Sequence, residues 1–549
     1  MQVCPHFIYN FSMVKEISIQ VAPEKEKDAE FIKTKIFAQL KEKSIQFDPK
    51  DTELVFQKKS IDARRKNIKL FLRYKVYIGE KPVDEMTKIP EWKKAGGTKT
   101  VVIVGSGPAG LFGALKLLEY GIKPIIVERG SETSTRRHAI ASISTKGVVD
   151  GESNYCFGEG GAGTFSDGKL YTRSSKRGDI SSILKIFAHF GADKKILTDA
   201  HPHIGTDKLP SIINAMRNSI IQMGGEFHFD TKCTGFIVEN NSVRGIRTCG
   251  TKSAEEKEFS ADAILLATGH SADDIYKMIA KISPSSLEAK TFAVGVRVEH
   301  PRTFIDSMRY HGNVDSSLGA AEYRFTTQQK ERGVYSFCMC PGGFVVPSSS
   351  GPEEIVVNGM SASGRNSRWS NAAVVVETRP EDIPENFKAE AKKEGCPALA
   401  GLLWRSHLEH ETFVHGSGQK APAQKIRDFV DGKESTLLPE TSYTPGIVPS
   451  RLDQWLPKQI SERLAMCFKY INRDTMKGYI CDEGLLIASE TRTSTPVRIL
   501  RDRETFQCPG LANLYPCGEG SGYSGGIVSS AMDGENSCIK IAEHLGVKK

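Results

Sequence analysis

Alternating and helical spacings of apolar residues define a small unit at the start of the chain. Residues 15–21 alternate polar and apolar side chains, which predicts a strand, and apolar positions at helical intervals over 24–43 predict a helix. Two further strand-like runs occupy 54–57 and 68–78. This order predicts a basic α/β domain of ferredoxin-like type over residues 1–95.

A different pattern begins after the polar segment 91–100, which contains a glycine pair, has no period and is typical of a linker. From Val101 an apolar strand is followed by a glycine turn, a helix and a second strand, and residues 261–270 repeat the strand and the turn. The segment 513–546 returns to strand, glycine-rich turn and helix. These repeats are typical of a doubly wound α/β sheet assembled from separated segments. We place its two parts at 96–285 and 486–549.

Between these two parts the chain consists of short β-like runs. The clearest runs are 292–300, 334–339, 343–346 and 372–378. We therefore predict an inserted, mainly β domain with some helices over 286–485. The 549 residues exceed what one hydrophobic core normally organises, so several domains are expected.

The turn after Val101 carries a dinucleotide-binding pattern. Gly105, Gly107 and Gly110 have GxGxxG spacing between a strand and a helix, and Glu128 ends the next strand 23 positions after Gly105. The glycines permit a tight turn and close approach of a pyrophosphate to the helix N-terminus, and the acid accepts hydrogen bonds from ribose hydroxyls. The predicted binding residues are Gly105, Gly107, Pro108, Ala109, Gly110, Glu128 and Arg129.

Two other glycine-rich segments indicate which dinucleotide binds. Gly518 and Glu519 follow an apolar strand and precede Gly525, Gly526 and Ile527 at a helix start, which looks like the second flavin signature of the glutathione-reductase-like superfamily. In that superfamily an acidic residue holds the ribityl chain, and Glu519 stands where Asp is more usual. The next helix N-terminus then faces the flavin pyrimidine.

The segment 157–173 holds five glycines between Phe157 and Lys169. It can bring backbone donors against an isoalloxazine ring, with a flexible surface loop as the alternative interpretation. Its predicted cofactor residues are Gly160, Gly161, Gly163 and Thr164. Thr268 and Gly269 join the predicted set because the corresponding turn in related flavoproteins lies close to the adenosine half of FAD.

The chain resembles the FAD-dependent dehydrogenase family often labelled NAD(FAD)-utilising dehydrogenases, within the glutathione-reductase-like FAD/NAD(P)-binding superfamily. The similarity runs over nearly the whole length and includes long, unusual segments. They are 59–66, 158–170, 202–207, 266–274, 337–343, 357–365, 421–426, 490–501 and 517–534. The resemblance implies FAD as cofactor, a Rossmann-like FAD-binding domain and an oxidoreductase whose substrate it does not name.

Candidate catalytic residues come from the side chains themselves. Cys338 and Cys340 are a CxC pair that could act as a redox pair or attack a substrate, although buried structural thiols are commoner. Arg492, in a charged group with Glu490, Arg498 and Arg501, could bind a carboxylate or phosphate, or could equally belong to an interdomain salt-bridge network.

Histidines are the remaining candidates. His203, with Asp207, and His270 could exchange protons near neutral pH, or each could be a satisfied structural residue. We include His203 among the catalytic candidates. His270 gains standing from the turn at Thr268, which lies close to the adenosine half of FAD in related flavoproteins, but the same location makes a direct catalytic role doubtful. No spacing of Cys and His residues indicates a metal site.

The remaining predictions concern partners. Of the net charge of +8, a surplus of seven lies before residue 101, where 21 basic residues face 14 acidic ones. Arg73, Lys75 and Tyr77 alternate on one predicted strand there, which leaves RNA as a minor alternative to a small-molecule substrate. A non-catalytic scaffold with structural FAD is a third hypothesis. No second GxGxxG follows a strand, so NAD(P)H is left open as electron donor.

The compartment and assembly complete these expectations. No run approaches the ~20 apolar residues of a spanning helix, and the start of the chain, residues 1–20, lacks the apolar core of a signal peptide. The 12 cysteines show no CxxC pair and no disulfide framework. We therefore expect a cytoplasmic protein without membrane contact, and the sequence leaves its oligomeric state unknown.

Overall fold

The computed structural model describes residues 12–82, 88–172, 178–313 and 318–549. Most of the N-terminal segment considered for a signal peptide, and Arg173 at the end of the glycine-rich segment, lie outside the described residues. In the parts that are described, no helix combines the length and apolarity required to cross a membrane.

The N-terminal unit is a three-stranded antiparallel sheet covered by one helix. Its elements are β1 Met13–Val21, α1 Ala29–Glu42, β2 Thr52–Asp62 and β3 Lys69–Ile78. Strand β3 lies between β1 and β2, and α1 buries Ile32, Ile36 and Leu40 against the sheet. This is the first βαββ part of the predicted ferredoxin-like fold. Within residues 12–82 there is no second helix of that length and no fourth strand.

The second unit contains a five-stranded parallel sheet with the order β22-β10-β4-β5-β6. Its strands are β4 Thr100–Val104, β5 Lys123–Val127, β6 Glu226–His228, β10 Ala263–Leu266 and β22 Leu514–Pro516. Its helices are α2 Pro108–Glu119, α3 Thr133–Lys146, α4 Ile180–His189, α5 Leu209–Gln222, α6 Asp273–Ile282 and α13 Ile527–His544. Strand β22 and helix α13 confirm that the chain returns to this sheet.

Helices α2 and α13 approach each other closely because small residues line their contact. A Cβ at Gly534 would lie 2.1 Å from the carbonyl oxygen of Ala109, and one at Gly113 would lie 3.1 Å from Sγ of Cys538. A separate antiparallel sheet was not predicted from the sequence; it consists of β7 Thr231–Glu239, β8 Ser242–Gly250 and β9 Glu256–Ser260. It lies in sequence between β6 and β10.

The inserted domain is built on a seven-stranded mixed sheet with the order β13-β14-β17-β12-β20-β18-β19. Its strands are β12 Phe292–Pro301, β13 Thr326–Gln329, β14 Arg332–Cys340, β17 Trp369–Thr378, β18 Ala421–Lys425, β19 Ile447–Pro449 and β20 Leu485–Glu490. The pair β15 Phe344–Pro347 and β16 Val357–Met360 stands beside it. Its helices are α7 Arg302–Arg309, α8 Glu385–Lys393, α9 Ala400–Val414, α10 Ile426–Asp431, α11 Leu452–Trp455 and α12 Lys458–Asp474.

The predicted boundary at residue 485 falls too early. Strand β20 begins there and pairs with β12 in the inserted sheet. Beyond it, β21 Val497–Ile499 pairs with β11 Leu287–Ala289, so the chain enters and leaves the insertion side by side. The physical reason is that β20 is buried on both faces, and its apolar run alone does not show to which sheet it belongs.

Candidate functional site

A cavity of about 1110 Å³ lies where the parallel sheet meets the inserted domain. The turn after β4, the glycine-rich segment and the start of α13 form one end, and β14 with the residues before it forms the other. Of the predicted residues, the lining includes Gly105, Gly107, Pro108, Ala109, Glu128, Arg129, Gly161, Gly163, Thr268, Gly269, Cys338, Arg492, Gly518, Glu519, Gly525, Gly526 and Ile527.

The turn after β4 is shaped by glycine geometry. Gly105 has φ +105°, and a Cβ there would lie 2.4 Å from the Ala267 carbonyl oxygen. Gly107 is the N-cap of α2 and lines the cavity, so the unpaired N–H groups of that helix start are available to an anion. Gly110 does not line the cavity, because its Cα faces the Gly105 carbonyl, 2.1 Å from where a Cβ would stand. Its role is packing of helix against turn.

Glu128, at the end of β5, is buried and already accepts four hydrogen bonds. The donors are the backbone N–H and hydroxyl of Ser106, at 2.9 and 2.8 Å, and the N–H groups of Gly130 and Gly158, each at 3.0 Å. A carboxylate offers about four acceptor sites, so a ribose hydroxyl would share or replace one of these donors. The predicted ribose contact stays a prediction.

Arg129 follows Glu128 and lies over the ring of Phe157, 4.0 Å from its centroid. Its guanidinium pairs with Glu152 at 2.6 Å and with Asp274 at 3.2 Å. The arginine therefore forms a flat wall of the cavity that is fixed by two carboxylates.

The glycine-rich segment is organised around a buried arginine, which favours the cofactor interpretation over the flexible-loop one for its described residues. Arg136 of α3 is fully buried within it and donates to the carbonyl oxygens of Asn154, Tyr155, Gly158, Glu159 and Gly161 at 2.7–3.1 Å. Burial lowers the pKa of Arg136 to about 10.

Only part of the predicted set in this segment faces the cavity. Gly161 and Gly163 line it, whereas Gly160 and Thr164 lie behind them, where the Thr164 hydroxyl donates to the carbonyl oxygen of Glu159 at 2.9 Å. Gly160 has φ +78°, and a Cβ there would lie 1.9 Å from that hydroxyl oxygen. These two residues therefore position the segment and do not line the cavity.

The C-terminal signature forms the facing wall. At Gly525 and Gly526 no atom lies within 4 Å of the point that a Cβ would occupy, so the start of α13 is open to the cavity. Gly518 has φ +77° and donates its N–H to Asp533 at 2.7 Å. Arg501 holds Asp533 at 2.6 Å.

Two titratable groups lie beside this signature. Burial raises the pKa of Glu519 to about 7, with Lys290 opposing the rise and the Cys338 sulfur adding to it. His270 lies 3.8 Å from Glu519. Burial, with the charges of Arg405 and Arg492, lowers the pKa of His270 to about 3. His270 is thus neutral near pH 7, whereas Glu519 titrates there.

Cys338 lines the cavity, and Cys340 is buried directly behind it. Nζ of Lys169 lies 4.0 Å from Sγ of Cys338 and 3.7 Å from Sγ of Cys340. Nη2 of Arg297 lies 3.4 Å from Sγ of Cys340. Both cations are anchored by carboxylates: Lys169 by Asp167 at 3.0 Å and Arg297 by Glu490 at 3.1 Å.

Arg492 lines the cavity, but its guanidinium is committed to protein partners. It forms a bidentate pair with Glu409 at 2.6 and 2.9 Å and contacts Glu354 at 3.2 Å. These contacts agree with the salt-bridge alternative, and the anion-binding role of this residue stays a prediction. The charged group itself is dispersed, because Glu490 pairs with Arg297, Arg498 with Glu288 and Arg501 with Asp533.

His203, a predicted catalytic residue, does not line the cavity. Its Nε2 lies 3.2 Å from the Ser363 carbonyl oxygen, and Asp207 accepts the Ser363 N–H and hydroxyl at 2.7 and 2.8 Å. Burial lowers the pKa of His203, and Arg365 adds to the shift. Both residues fasten the inserted domain to the segment after Lys169.

Comparison with known proteins identifies the family. A model described as FAD-dependent protein, C-terminal domain-like, matches residues 291–493, one for pyridine nucleotide-disulphide oxidoreductases matches 99–277, and one for a domain of unknown function matches 13–77. An uncharacterised protein of Clostridium beijerinckii is 39% identical over 512 residues, which cover 89% of this chain and 91% of that relative. The chain belongs to the FAD-dependent protein family. Its cofactor is FAD.

Solved structures give weaker likenesses. A flavoprotein/dehydrogenase from Cytophaga hutchinsonii has a TM-score of 0.35 and 10% identity, over 82% of this chain and 80% of its own. A geranylgeranyl bacteriochlorophyll reductase-like protein from Thermoplasma acidophilum has a TM-score of 0.34 and 13% identity, with the same two coverages. Scores at this level are too low to support any conclusion about the present protein.

The cavity of this FAD-dependent protein fits its cofactor. Its volume of about 1110 Å³ lies just above the roughly 300–1,000 Å³ of ordinary ligand pockets, which agrees with a large ligand such as a dinucleotide. Side chains are missing where backbone must approach a ligand, at Gly107, Gly161, Gly525 and Gly526. Two helix starts, those of α2 and α13, open into it, and each favours negative charge.

Sequence reasoning missed several residues of the far end. Lys169, Asp167 and Arg365 lie inside the segments that carry the family resemblance but were not singled out, and Arg365 joins Asp167 and Glu322 at 2.7 Å each. Arg297 had a usable signal, since it is a lone basic residue among the apolar positions of β12. A buried arginine requires a partner, so this signal could have indicated the carboxylate of Glu490.

Proposed function

We propose that this protein is an FAD-dependent dehydrogenase that transfers hydride between its flavin and a small molecule bound at the inserted-domain end of the cavity. One observation supports the proposal most: the dinucleotide fingerprint, the flavin signature and β14 of the inserted domain line a single continuous cavity. Bound FAD supplies the two-electron chemistry. The chain supplies binding, orientation and proton transfer.

The glycine end holds the cofactor in this proposal. The N-terminus of α2, beyond Gly107, would bind the pyrophosphate, and Glu128 and Arg129 would lie on the ribose and adenine side. Gly161, Gly163, Gly525 and Gly526 would leave room for the ring system. The start of α13 would favour negative charge on that ring.

The opposite end binds the substrate. Arg309 and Arg324 line it, and neither has an ion-pair partner in the described part of the chain. The nearby Arg365 and Lys169 are balanced by Asp167 and Glu322. Tyr335, Phe337 and Tyr171 supply aromatic surface. The excess positive charge and the aromatic walls favour a substrate with an acidic group on an apolar body.

Glu519 is the group best suited to hold the proton that accompanies hydride transfer. It lines the cavity, and its pKa of about 7 places its titration at working pH. The two histidines are less suited to hold this proton. Burial lowers the pKa of His270 to about 3, so it does not hold a proton near pH 7, and His203 lies outside the cavity lining.

An anaerobic absorbance experiment tests this function. Purified yellow protein is mixed first with NADPH and then with NADH, while flavin absorbance is followed. Bleaching by one of them supports a dehydrogenase that exchanges electrons with that nicotinamide, and screening of acidic substrates follows. Bound flavin that neither nicotinamide nor any acidic substrate bleaches would contradict the proposal and support the structural-FAD hypothesis.

The RNA hypothesis loses part of its basis. Arg73 is exposed on β3, but Tyr77 is 6% exposed and cannot stack on a base. RNA binding therefore stays a minor prediction, to be checked by its salt dependence.

A further inference from the structure

The backbone at Cys338 is unusual for a non-glycine residue. Cys338 has φ +45°. Residues other than glycine rarely adopt this left-handed backbone conformation, and those that do are often found at functional sites. The register between β14 and β17 shifts between Phe337 and Cys340, so a bulge ends the strand there. Cys338, at this bulge, lines the cavity, while Cys340 stays at 0% exposure behind it.

The surroundings of the two sulfurs favour one negative charge. Lys169 is within 4.0 Å of both sulfurs, and Arg297 donates to the Cys338 carbonyl oxygen at 2.7 Å as well as to the Cys340 sulfur. Neighbouring cations stabilise a thiolate. A hydrogen bond from Cys340, then Lys169 and Arg297, hold the pKa of Cys338 well below its ordinary value. The same bond raises the pKa of Cys340.

The other cysteines of the cavity region provide a contrast. Cys156 also lines the cavity, but one cation alone, Arg492 at 3.6 Å, is hydrogen-bonded to its sulfur among the described residues. Burial raises the pKa of Cys517 and Cys538, which makes them inert core thiols. Only the pair at the end of β14 combines cavity access, two close cations and a second sulfur, among the described cysteines.

We propose that Cys338 and Cys340 form a redox-active dithiol whose substrate is a small-molecule disulfide, with Cys338 as the attacking sulfur and Cys340 as the resolving one. The Cys338 thiolate attacks one sulfur of the substrate, forming a mixed disulfide and releasing the first thiolate. Cys340 loses its proton and attacks Cys338, forming the intramolecular disulfide and releasing the second thiolate. The substrate disulfide gains two electrons and leaves as two thiolates, the protein dithiol loses those two electrons, and the one proton of Cys340 passes to a released thiolate or to solvent.

This inference deepens the proposed function, on which it rests for one point: restoring the Cys338 thiolate and the Cys340 thiol requires two electrons and one proton, which a reduced flavin would supply. The disulfide class also agrees with the cationic, aromatic end of the cavity. Dithiobis(nitrobenzoate) is a suitable probe, since it is an acidic aromatic disulfide that releases a coloured thiolate.

The test uses reduced, flavin-containing protein and needs no turnover. The probe is added, released thiolate is followed by absorbance, and remaining thiols are alkylated before peptide mass spectrometry. In the wild type we expect rapid release of two thiolates per chain and a disulfide within the peptide that carries Cys338 and Cys340. Cys340→Ser should release one and keep a nitrothiobenzoate adduct on Cys338. Cys338→Ser should lose the rapid phase.

Two variants sharpen the result. Cys156→Ser is the matched control and should behave as the wild type, since its sulfur is not part of the pair. Lys169→Met should slow the rapid phase about tenfold, the effect of one pKa unit on the thiolate fraction. The proposal is overturned if the wild-type peptide is alkylated at both cysteines after the probe, or if Cys340→Ser gains no adduct. Flavin absorbance of the same samples reports separately on the proposed function.

Discussion

The two ends of the cavity are built from different materials. At the FAD end much of the wall is backbone and glycine, supplied by Gly107, Gly161 and Gly526, although charged side chains such as Glu128, Arg129 and Glu519 also line it. At the other end the wall consists of side chains held by ion pairs that join distant segments, such as Lys169 with Asp167 and Arg297 with Glu490. A glycine wall fits one cofactor, whereas an ion-paired wall can fix charges and reactive sulfurs in place.

This difference predicts that substitutions in the buried ion pairs of the inserted-domain end lower the free energy of unfolding. Arg492→Met would leave Glu409, which is fully buried, without its bidentate partner, and we expect a loss of about 3–5 kcal/mol in the free energy of unfolding. Arg498→Met is the control, because its pair with Glu288 is 36% and 50% exposed and should cost less than about 1 kcal/mol. Denaturant unfolding of both variants measures the two losses in the free energy of unfolding. Equal losses would contradict the predicted difference between the buried and the exposed pair.

The raised pKa of Glu519 gives the next effect. The pKa is about 7 in the folded protein against 4.5 ordinarily, so the folded state binds the proton more tightly than the unfolded chain. Its stabilising contribution is full below about pH 4.5 and is lost as the pH rises through 7. As the pH rises from about 4.5 to above 7, the free energy of unfolding of the wild type should fall by up to about 3 kcal/mol relative to that of Glu519→Gln. A difference that does not change with pH, in unfolding measured from pH 4.5 to 8.5, would show that Glu519 has an ordinary pKa.

At the glycine end the expected loss is in cofactor rather than in folding. Gly107→Ala fits the protein, because φ is −71° and the nearest atom would be 3.9 Å from the new Cβ. The methyl group would occupy the space above the helix start, and we expect about 100-fold weaker FAD binding, about 2.7 kcal/mol. Gly97→Ala, in the linker and 3.6 Å from its nearest neighbour, should keep FAD. Full flavin content in Gly107→Ala would show that the pyrophosphate does not bind at this helix start.

The smallest effect is expected for His203→Gln. The side chain contacts Ser363 and not the cavity, so the flavin content and the bleaching rate should change less than about twofold. A loss of more than tenfold in the bleaching rate with unchanged flavin content would return His203 to the candidate catalytic residues.

The same difference explains what the sequence could predict. Gly105 and Glu128 belong to one strand-turn-helix-strand unit, so spacing along the chain was enough to find them. The contacts of Lys169 with Cys338 and of Arg297 with Glu490 join segments over 100 residues apart in the sequence, and only folding reveals them. The role of Arg492 was ambiguous for that reason, because the sequence around an arginine in a charged segment looks the same whether it binds a ligand or a buried glutamate. Strand β20 was assigned to the wrong domain because its apolar run would suit either sheet.

The central claim is that FAD and a redox dithiol share one cavity, and electron counting tests it most directly. Protein first oxidised with dithiobis(nitrobenzoate) and freed of reagent is titrated anaerobically with dithionite while flavin absorbance is followed. The wild type should accept four electrons per flavin, two for the ring and two for the disulfide, and Cys338→Ser should accept two. Two electrons in both proteins would contradict the dithiol, and a wild type without flavin would contradict the account as a whole.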